Sequence, residues 1–354
     1  MLVQDGQVKQ HPKRHYLGLG EWLAADARVD DQFARDEYWS EPHFARKRAI
    51  LKRYPQVEQL YGTAIETVYI ACLVAGCQIL VAYLMSFPQV STIWMILTSM
   101  VIGGTLSALV GVIEHETCHN LAHPNPLVNR LTGFIANMPM VVPVAASFKK
   151  FHLEHHTWQG VEGMDPDLPL AWEIYLIRGN YLMKALWIAI YPAMYGIRGF
   201  AMAKRGLTNW ERANLIFMIV VDLVLMRIVG WKGMAYLTMS VWFGYSYHPA
   251  AAHFIQEHYT FWDKQETYSY YGPMNAVTMN IGLHNEHHDF VRVPWTRIWA
   301  LYYLAKEYYE PLKSFDSWLT VHYRFLTDPT LGPVSRVVRN EKVHRQDRKL
   351  EQFK

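Results

Sequence analysis

The sequence predicts an all-α membrane protein: four transmembrane helices in two hairpins, with a cytosolic helical cap carrying a histidine-rich site for two metals. Three observations predict it. Long stretches carry no charge, positive charges gather on one side of those stretches, and histidines recur in three tight clusters. Of 354 residues, 51% are hydrophobic and 14% aromatic. Charged residues make up 18%, below the ~25% of an ordinary soluble domain. A chain this apolar can bury a core, which argues against disorder as its main state. The balance of 34 basic and 31 acidic residues, net +3, gives no sign of nucleic-acid binding. Three cysteines without a CxxC pair argue against a disulfide framework and fit a reducing compartment.

Residues 1–60 are polar, show no signal-peptide pattern, and are expected as a cytosolic amino-terminal segment. Within them, Arg46, Lys47, Arg48, Lys52 and Arg53 form a basic cluster, read as a solvated helix face or a cytoplasmic flank of the membrane. A membrane domain is expected over 61–330, followed by a cytosolic polar tail over 331–354. Thr67 to Met85 carries no charge, nor does Val90 to Ile113. A span needs roughly 20 apolar residues, so 67–85 and 90–113 are read as one helical hairpin. The uncharged run 131–148 contains Pro139 and Pro143, which break helices, and is read as re-entrant or interfacial. Residues 181–200 mix Lys184 and Arg198 with Trp and Tyr and suit a helix lying in the interface. A second hairpin is expected from 213–229 and 234–252 around Gly230–Gly233. All but Arg227 and Lys232 of the 34 Lys and Arg residues then fall on one side, which predicts cytosolic termini.

The histidine clusters are His115 and His119 in HETCH, His152, His155 and His156 in HLEHH, and His284, His287 and His288 in HNEHH. Positions i, i+3 and i+4 share a helix face, so each cluster aims its imidazoles at one point. Eight histidines exceed one metal and suit two, and neutral imidazole binds Fe, Zn, Cu and Ni. The stretch between His119 and His152 is too short for two crossings, so it must return to the side it left. The second hairpin brings the third cluster to the same face. In HPAAAHFIQEHY (248–259), His253 is the first choice for a ninth ligand and His258 the second, while His248 caps or hydrogen-bonds. Glu116, Glu154, Glu286 and Asp289 lie inside the clusters, either orienting ligands or simply solvated. Asn275 and Asn280 precede the third cluster and are read as caps or water-mediated metal contacts. Asp165 and Asp167 are read as a turn with Pro166 and Pro169, with a structural or headgroup role as second choice. Trp158 and Tyr259 are read as packing or interface anchors.

HETCH is also an HExxH motif, which opens a rival reading as an intramembrane zinc protease. That reading leaves both HxxHH clusters unexplained. A third reading is a catalytically silent lipid-binding protein, against which the intact clusters argue.

The three boxes, in this order, resemble those of the membrane-bound fatty-acid desaturase and hydroxylase superfamily. Within it, ETYSYYGPMNAVTMNIGLHNEHHDF (266–290), NRLTGFIANMPMVVPVAASFKKFHLEHHTWQG (129–160), HPAAAHFIQEHY and DEYWSEPHFARKRAILKRYPQ (36–56) look like sphingolipid Δ4-desaturases. The resemblance covers about residues 31–340. Val291 stands where the family usually has Pro, with Pro294 later, and His123 stands near where it tends to have an aromatic. Leu2 stands where animal members often carry the glycine of a myristoylation signal, so that modification is not expected. The resemblance implies a diiron centre, with two Fe ions held by the box histidines. The implied reaction removes hydrogens from C4 and C5 of the sphinganine chain of dihydroceramide, giving a trans double bond; C4-hydroxylation to phytoceramide is the close rival. Dioxygen would be consumed and electrons would arrive from cytochrome b5 and its NAD(P)H reductase. No fused cytochrome b5 motif is apparent, so the donor is expected to be a separate protein. The resemblance also implies the endoplasmic reticulum membrane.

Overall fold

The computed structural model describes residues 41–202, 206–262, 265–339, 341 and 344–345. It also describes two short strand pairs, Leu2–Gln4 with Gln7–Lys9 and Arg14–His15 with Glu21–Trp22. The rest of the expected amino-terminal segment, and residues 346–354 of the expected tail, lie outside the described residues.

Helix α1 (Pro42–Arg53) starts where the Glu41 side chain accepts the His43 N–H and Pro42 takes the first helical position. Helix α2 (Glu66–Met85) and helix α3 (Thr92–Cys118) fall on the first two charge-free runs, α3 continuing past the expected 113. Their outward faces expose Tyr69, Leu73, Leu80, Ile93, Trp94 and Val101, as lipid-facing surfaces do. Inward, α2 presents Ala71, Ala75 and Ala82, and Gln78 donates to Gly103 O and Ser107 Oγ of α3 at 3.3 Å. A π-helical turn at Ser99–Gly103 interrupts α3 where it meets the next long helix.

Pro126–Asn137 (α4) and Ala145–Trp158 (α5) follow, and the segment ending at Met140 is bent by 116° against α5. Asn137 holds the corner: its amide donates to Val142 O at 2.8 Å and its oxygen accepts from Val144 N at 3.1 Å. Val141 takes a left-handed conformation there, φ 56°. The corner falls inside the proline-bearing run expected to double back.

Residues 181–200 form two helices rather than one. After α6 (Ala171–Ile177) come α7 (Tyr181–Ala189) and α8 (Tyr191–Met202), separated at Ile190. Their charges point inward. Lys184 Nζ donates to Asp328 O (2.7 Å) and Leu331 O (3.1 Å), and Arg198 forms a two-pronged pair with Glu173. Tyr181, Leu182, Leu186 and Ile197 face outward.

Helix α9 (Asn209–Gly244) opens with a capping box between Thr208 and Glu211. It contains one non-helical residue, Gly230 (φ 60°, ψ −175°), in the expected turn. Lys232 Nζ donates to Phe87 O (2.8 Å) and Val90 O (2.5 Å), which places this break beside the α2–α3 connection. Near its other end α9 crosses α3 backbone to backbone: a Cβ on Gly244 would stand 2.8 Å from Gly104 O. Among the described residues, three helices are long and apolar enough to cross a membrane, or up to four if the bent α4–α5 pair is one span. The last of them ends at Gly244, short of the expected 252, because the chain turns at Tyr245–His248 and Pro249 starts a 3₁₀ turn, Pro249–Ala252.

The remaining described chain forms shorter helices: α10 (His253–Gln256), α11 (His284–Asp289), α12 (Ile298–Leu304) and α13 (Trp318–Thr327). Ser269–Tyr270 pairs in parallel with Ser314–Phe315. One core joins these shorter helices to α3, packing Val110 and Ile113 in the same cluster as Trp187, Tyr259, Trp318 and Phe325. All three cysteines are unpaired.

Candidate metal centre

His115 sits one turn inside the end of α3, and His119 is its C-capping residue. The α4–α5 corner returns the chain so that His152 on α5 meets His119, Nε2 to Nε2, at 3.0 Å. Along α5, His152, His155 and His156 share one face as their spacing requires. Helix α11 is placed by its approach. The Asn275 oxygen accepts from Gly282 N (3.0 Å), Met279 and Asn280 take left-handed conformations, and Ser269 Oγ accepts from Asn285 N (3.0 Å).

Two groups of imidazoles result. In the first, His115, His119, His152, His156 and His287 each offer a ring nitrogen, and these lie within 4.8 Å of one another. The second contains His155, His258 and His288 on the same criterion. His284 joins it through His258, Nε2 to Nε2 at 2.9 Å. The groups abut, with the His156 and His288 rings stacked at 4.2 Å. All eight box histidines are therefore gathered at one place. Of the two candidates for a ninth, His258 stands in the second group, 3.0 Å from His155. His253 stands in neither: its Nδ1 meets Ala250 O at 2.6 Å and its ring packs on Phe254. His248 bonds Thr105 Oγ1 and caps Ala250 N.

Burial holds the His258, His284, His287 and His288 imidazoles well below their ordinary range, with neighbouring histidines pushing the same way. Neutral rings are the form that binds metal. Among the described residues, neither nitrogen of the buried His115 ring has a hydrogen-bond partner. Nine imidazoles converging on two points, one of them with neither ring nitrogen hydrogen-bonded among the described residues, form a donor set that fits two transition-metal ions.

The supporting contacts differ from those the boxes suggested. Asp165 orients His155, Oδ1 to Nδ1 at 2.9 Å, and also accepts Gly160 N and Asp167 N; it makes the expected turn and holds a ligand as well. Glu257 lies 3.5 Å from His284 Nδ1. Asp289 binds His43 and Arg46 of α1, not a box histidine. Glu286 accepts from Ser269 and Tyr271, both at 2.7 Å, bracing α11. Glu116 accepts from Trp295 N at 3.4 Å, and Asn280 joins Trp295 O to the Trp299 indole. Glu154 makes no hydrogen bond among the described residues. Trp158 packs on His344, and Tyr259 packs between Trp187 and Phe325.

His43, Arg46 and Glu257 were missed by the box pattern. Arg46, counted in the sequence as part of a solvated or membrane-flanking basic cluster, is 1% exposed and turned toward Asp289 of α11. Its carboxylate partner is 243 positions away, so local charge density gave no sign of it.

The fatty acid desaturase family model matches residues 91–318, which contain all the box histidines, so the chain is a fatty acid desaturase by family. A second model, described as sphingolipid Δ4-desaturase, matches residues 37–65, including α1. The chain is 40% identical over 320 residues to the sphingolipid delta(4)-desaturase DES1-like of Oryza sativa subsp. japonica, covering 89% of this chain and 97% of that one. To the sphingolipid delta(4)-desaturase DES1 of Drosophila melanogaster it is 38% identical, covering 86% and 95%. To a Caenorhabditis elegans protein named putative sphingolipid delta(4)-desaturase/C4-monooxygenase it is 36% identical, covering 88% and 86%. The chain belongs to the sphingolipid Δ4-desaturase family, a family of oxidoreductases.

Proposed function

We propose that this enzyme introduces the Δ4 double bond into the sphinganine chain of dihydroceramide, giving ceramide, at a diiron centre. The observation that carries the reading is the convergence of nine imidazoles into two abutting groups in a chain of this family. His115, His119, His152, His156 and His287 would hold one iron, and His155, His258, His284 and His288 the other. When bound, two irons supply the dioxygen chemistry that removes hydrogen from an unactivated C–H bond, which side chains alone do not. The protein orients and shields. Asp165 fixes the ring of His155, and His115 and His284 are each more than nine-tenths buried, which keeps bulk water from the ligands.

The membrane arrangement belongs to the same proposal. As one straight helix α9 would be about 54 Å long, well beyond the ~30 Å of a bilayer core. Its halves on either side of Gly230 are read as two spans, so four spans form two hairpins with both termini cytosolic. The domain runs over 61–330 in the endoplasmic reticulum membrane, and cytochrome b5 with its reductase supplies the electrons.

A second reading is C4-hydroxylation of the same substrate, favoured by the name of the Caenorhabditis elegans relative. Both reactions start from hydrogen removal near C4. One experiment tests both: purified protein is given dihydroceramide, dioxygen and a reconstituted electron donor, and alkene is separated from phytoceramide. Neither product, from protein holding about two irons, overturns the proposal.

A further inference from the structure

Residues 331–345 were expected as part of a polar tail. Instead, the described part of this segment lies across the end of α5 and the loop after it. Thr260 N donates to Ser335 O at 2.9 Å, Arg339 N donates to Gly160 O at 2.6 Å, and His344 Nε2 meets Thr157 O at 2.7 Å. Arg336 and Arg339 are only 2% and 3% exposed. Two arginines are buried at that cost only where acceptors meet them.

Their acceptors lead to the metal groups. Arg336 spans Asp167 with two donors, Nη2 to Oδ2 at 2.7 Å and Nη1 to the backbone oxygen at 3.1 Å. Asp167 N in turn donates to Asp165 Oδ1 at 2.9 Å, and that same oxygen meets His155 Nδ1 at 2.9 Å. Arg339 Nη1 donates to Gln159 O at 3.2 Å, and its other terminus pairs with Glu266. A small cavity under the segment is lined by Gln159, Glu266, Arg336, Arg339 and His258. Gly160 is fitted to this contact: its φ is 73°, and a Cβ there would meet Val337 O at 2.7 Å.

We propose that the described residues of 331–345 form a strap that completes the second metal site, with Arg336 as a positioning residue acting through Asp167 and Asp165 on His155. The strap rests on the diiron reading above. Arg336 holds the Asp167 carboxylate and backbone, which fixes the loop that presents Asp165. Asp165 sets the direction of the His155 ring. The contacts that start at Arg336 end on His155 of the second group, so loosening the strap is expected to weaken that metal first. Removing a partner that orients a ligand typically costs ~10–100-fold in metal affinity.

The test uses full-length protein in detergent, with iron counted by elemental analysis, Mössbauer spectra recorded, and Fe(II) titrated into the apo-protein. Wild type is expected to hold about two irons. Arg336→Ala is expected to hold about one, with its second Fe(II) affinity lowered ~10–100-fold, and Arg336→Lys to regain the second iron. Asp167→Asn, which keeps the side-chain shape, is expected to match Arg336→Ala and decides the matter if that variant does not fold. Two irons and an unchanged spectrum in Asp167→Asn overturn the strap alone. A wild type that takes up no iron overturns the diiron reading, and the strap with it.

Discussion

Arg46 and Asp289 meet in a buried two-pronged ion pair, Nε to Oδ2 at 2.7 Å and Nη2 to Oδ1 at 2.9 Å. The pair ties α1 to the helix that carries the third box. His43 joins it, 2.7 Å from Asp289 Oδ1, with its ring 4.9 Å from that of His288. Removing one partner of such a pair leaves an uncompensated buried charge, a loss of ~3–5 kcal/mol. Arg46→Ala is therefore expected to lower the thermal unfolding midpoint in detergent far more than Lys52→Ala, which serves as the control from the same basic cluster. Equal midpoints for the two variants would remove the role given to this pair.

His258 and His253 separate the two candidates for the ninth ligand. His258→Ala is expected to lose one of two irons and nearly all product formation. His253→Ala is expected to keep both irons. Elemental analysis of the two purified variants reads the difference directly, and the reverse pattern would reassign the ligand.

The α3–α9 crossing depends on the missing side chains of Gly104 and Gly244. Added bulk in a packed contact costs ~1–3 kcal/mol. Gly244→Leu is expected to lower the unfolding midpoint, whereas Gly76→Leu, whose Cβ meets nothing within 4 Å, is expected to leave it nearly unchanged.

Iron that binds only the folded chain must also stabilise it. At a free concentration 100 times its Kd, one bound ion contributes about 2.7 kcal/mol. Chelation is expected to lower the unfolding midpoint, and Fe(II) to restore it. A midpoint indifferent to both would count against resident metal.

Much of this was legible in the sequence because bilayer thickness and helix periodicity are strong constraints. The charge-free runs at 67–85 and 90–113 fall in α2 and α3, and the boxes bring their histidines to one place, but each HxxHH box is split between the two groups instead of aiming at one point. What stayed hidden depended on distant partners or on backbone turns. The apolar composition after Gly244 continues to Ala252, so only the turn before Pro249 shows where the helix stops. That turn also decides that His258 faces the second group and His253 faces Phe254. Arg46 looked like one more surface cation because Asp289 is remote in sequence. Asp165 was read as a turn because local residues reveal the turn and not the ring it steers.

His287 and His288 are neighbours in the chain, yet they belong to different groups. Neither group is complete until that dipeptide arrives, long after the first box has been made. One short helix, tied to α1 through Arg46 and Asp289, is therefore shared by both groups, and a shift of that helix would disturb the two at once.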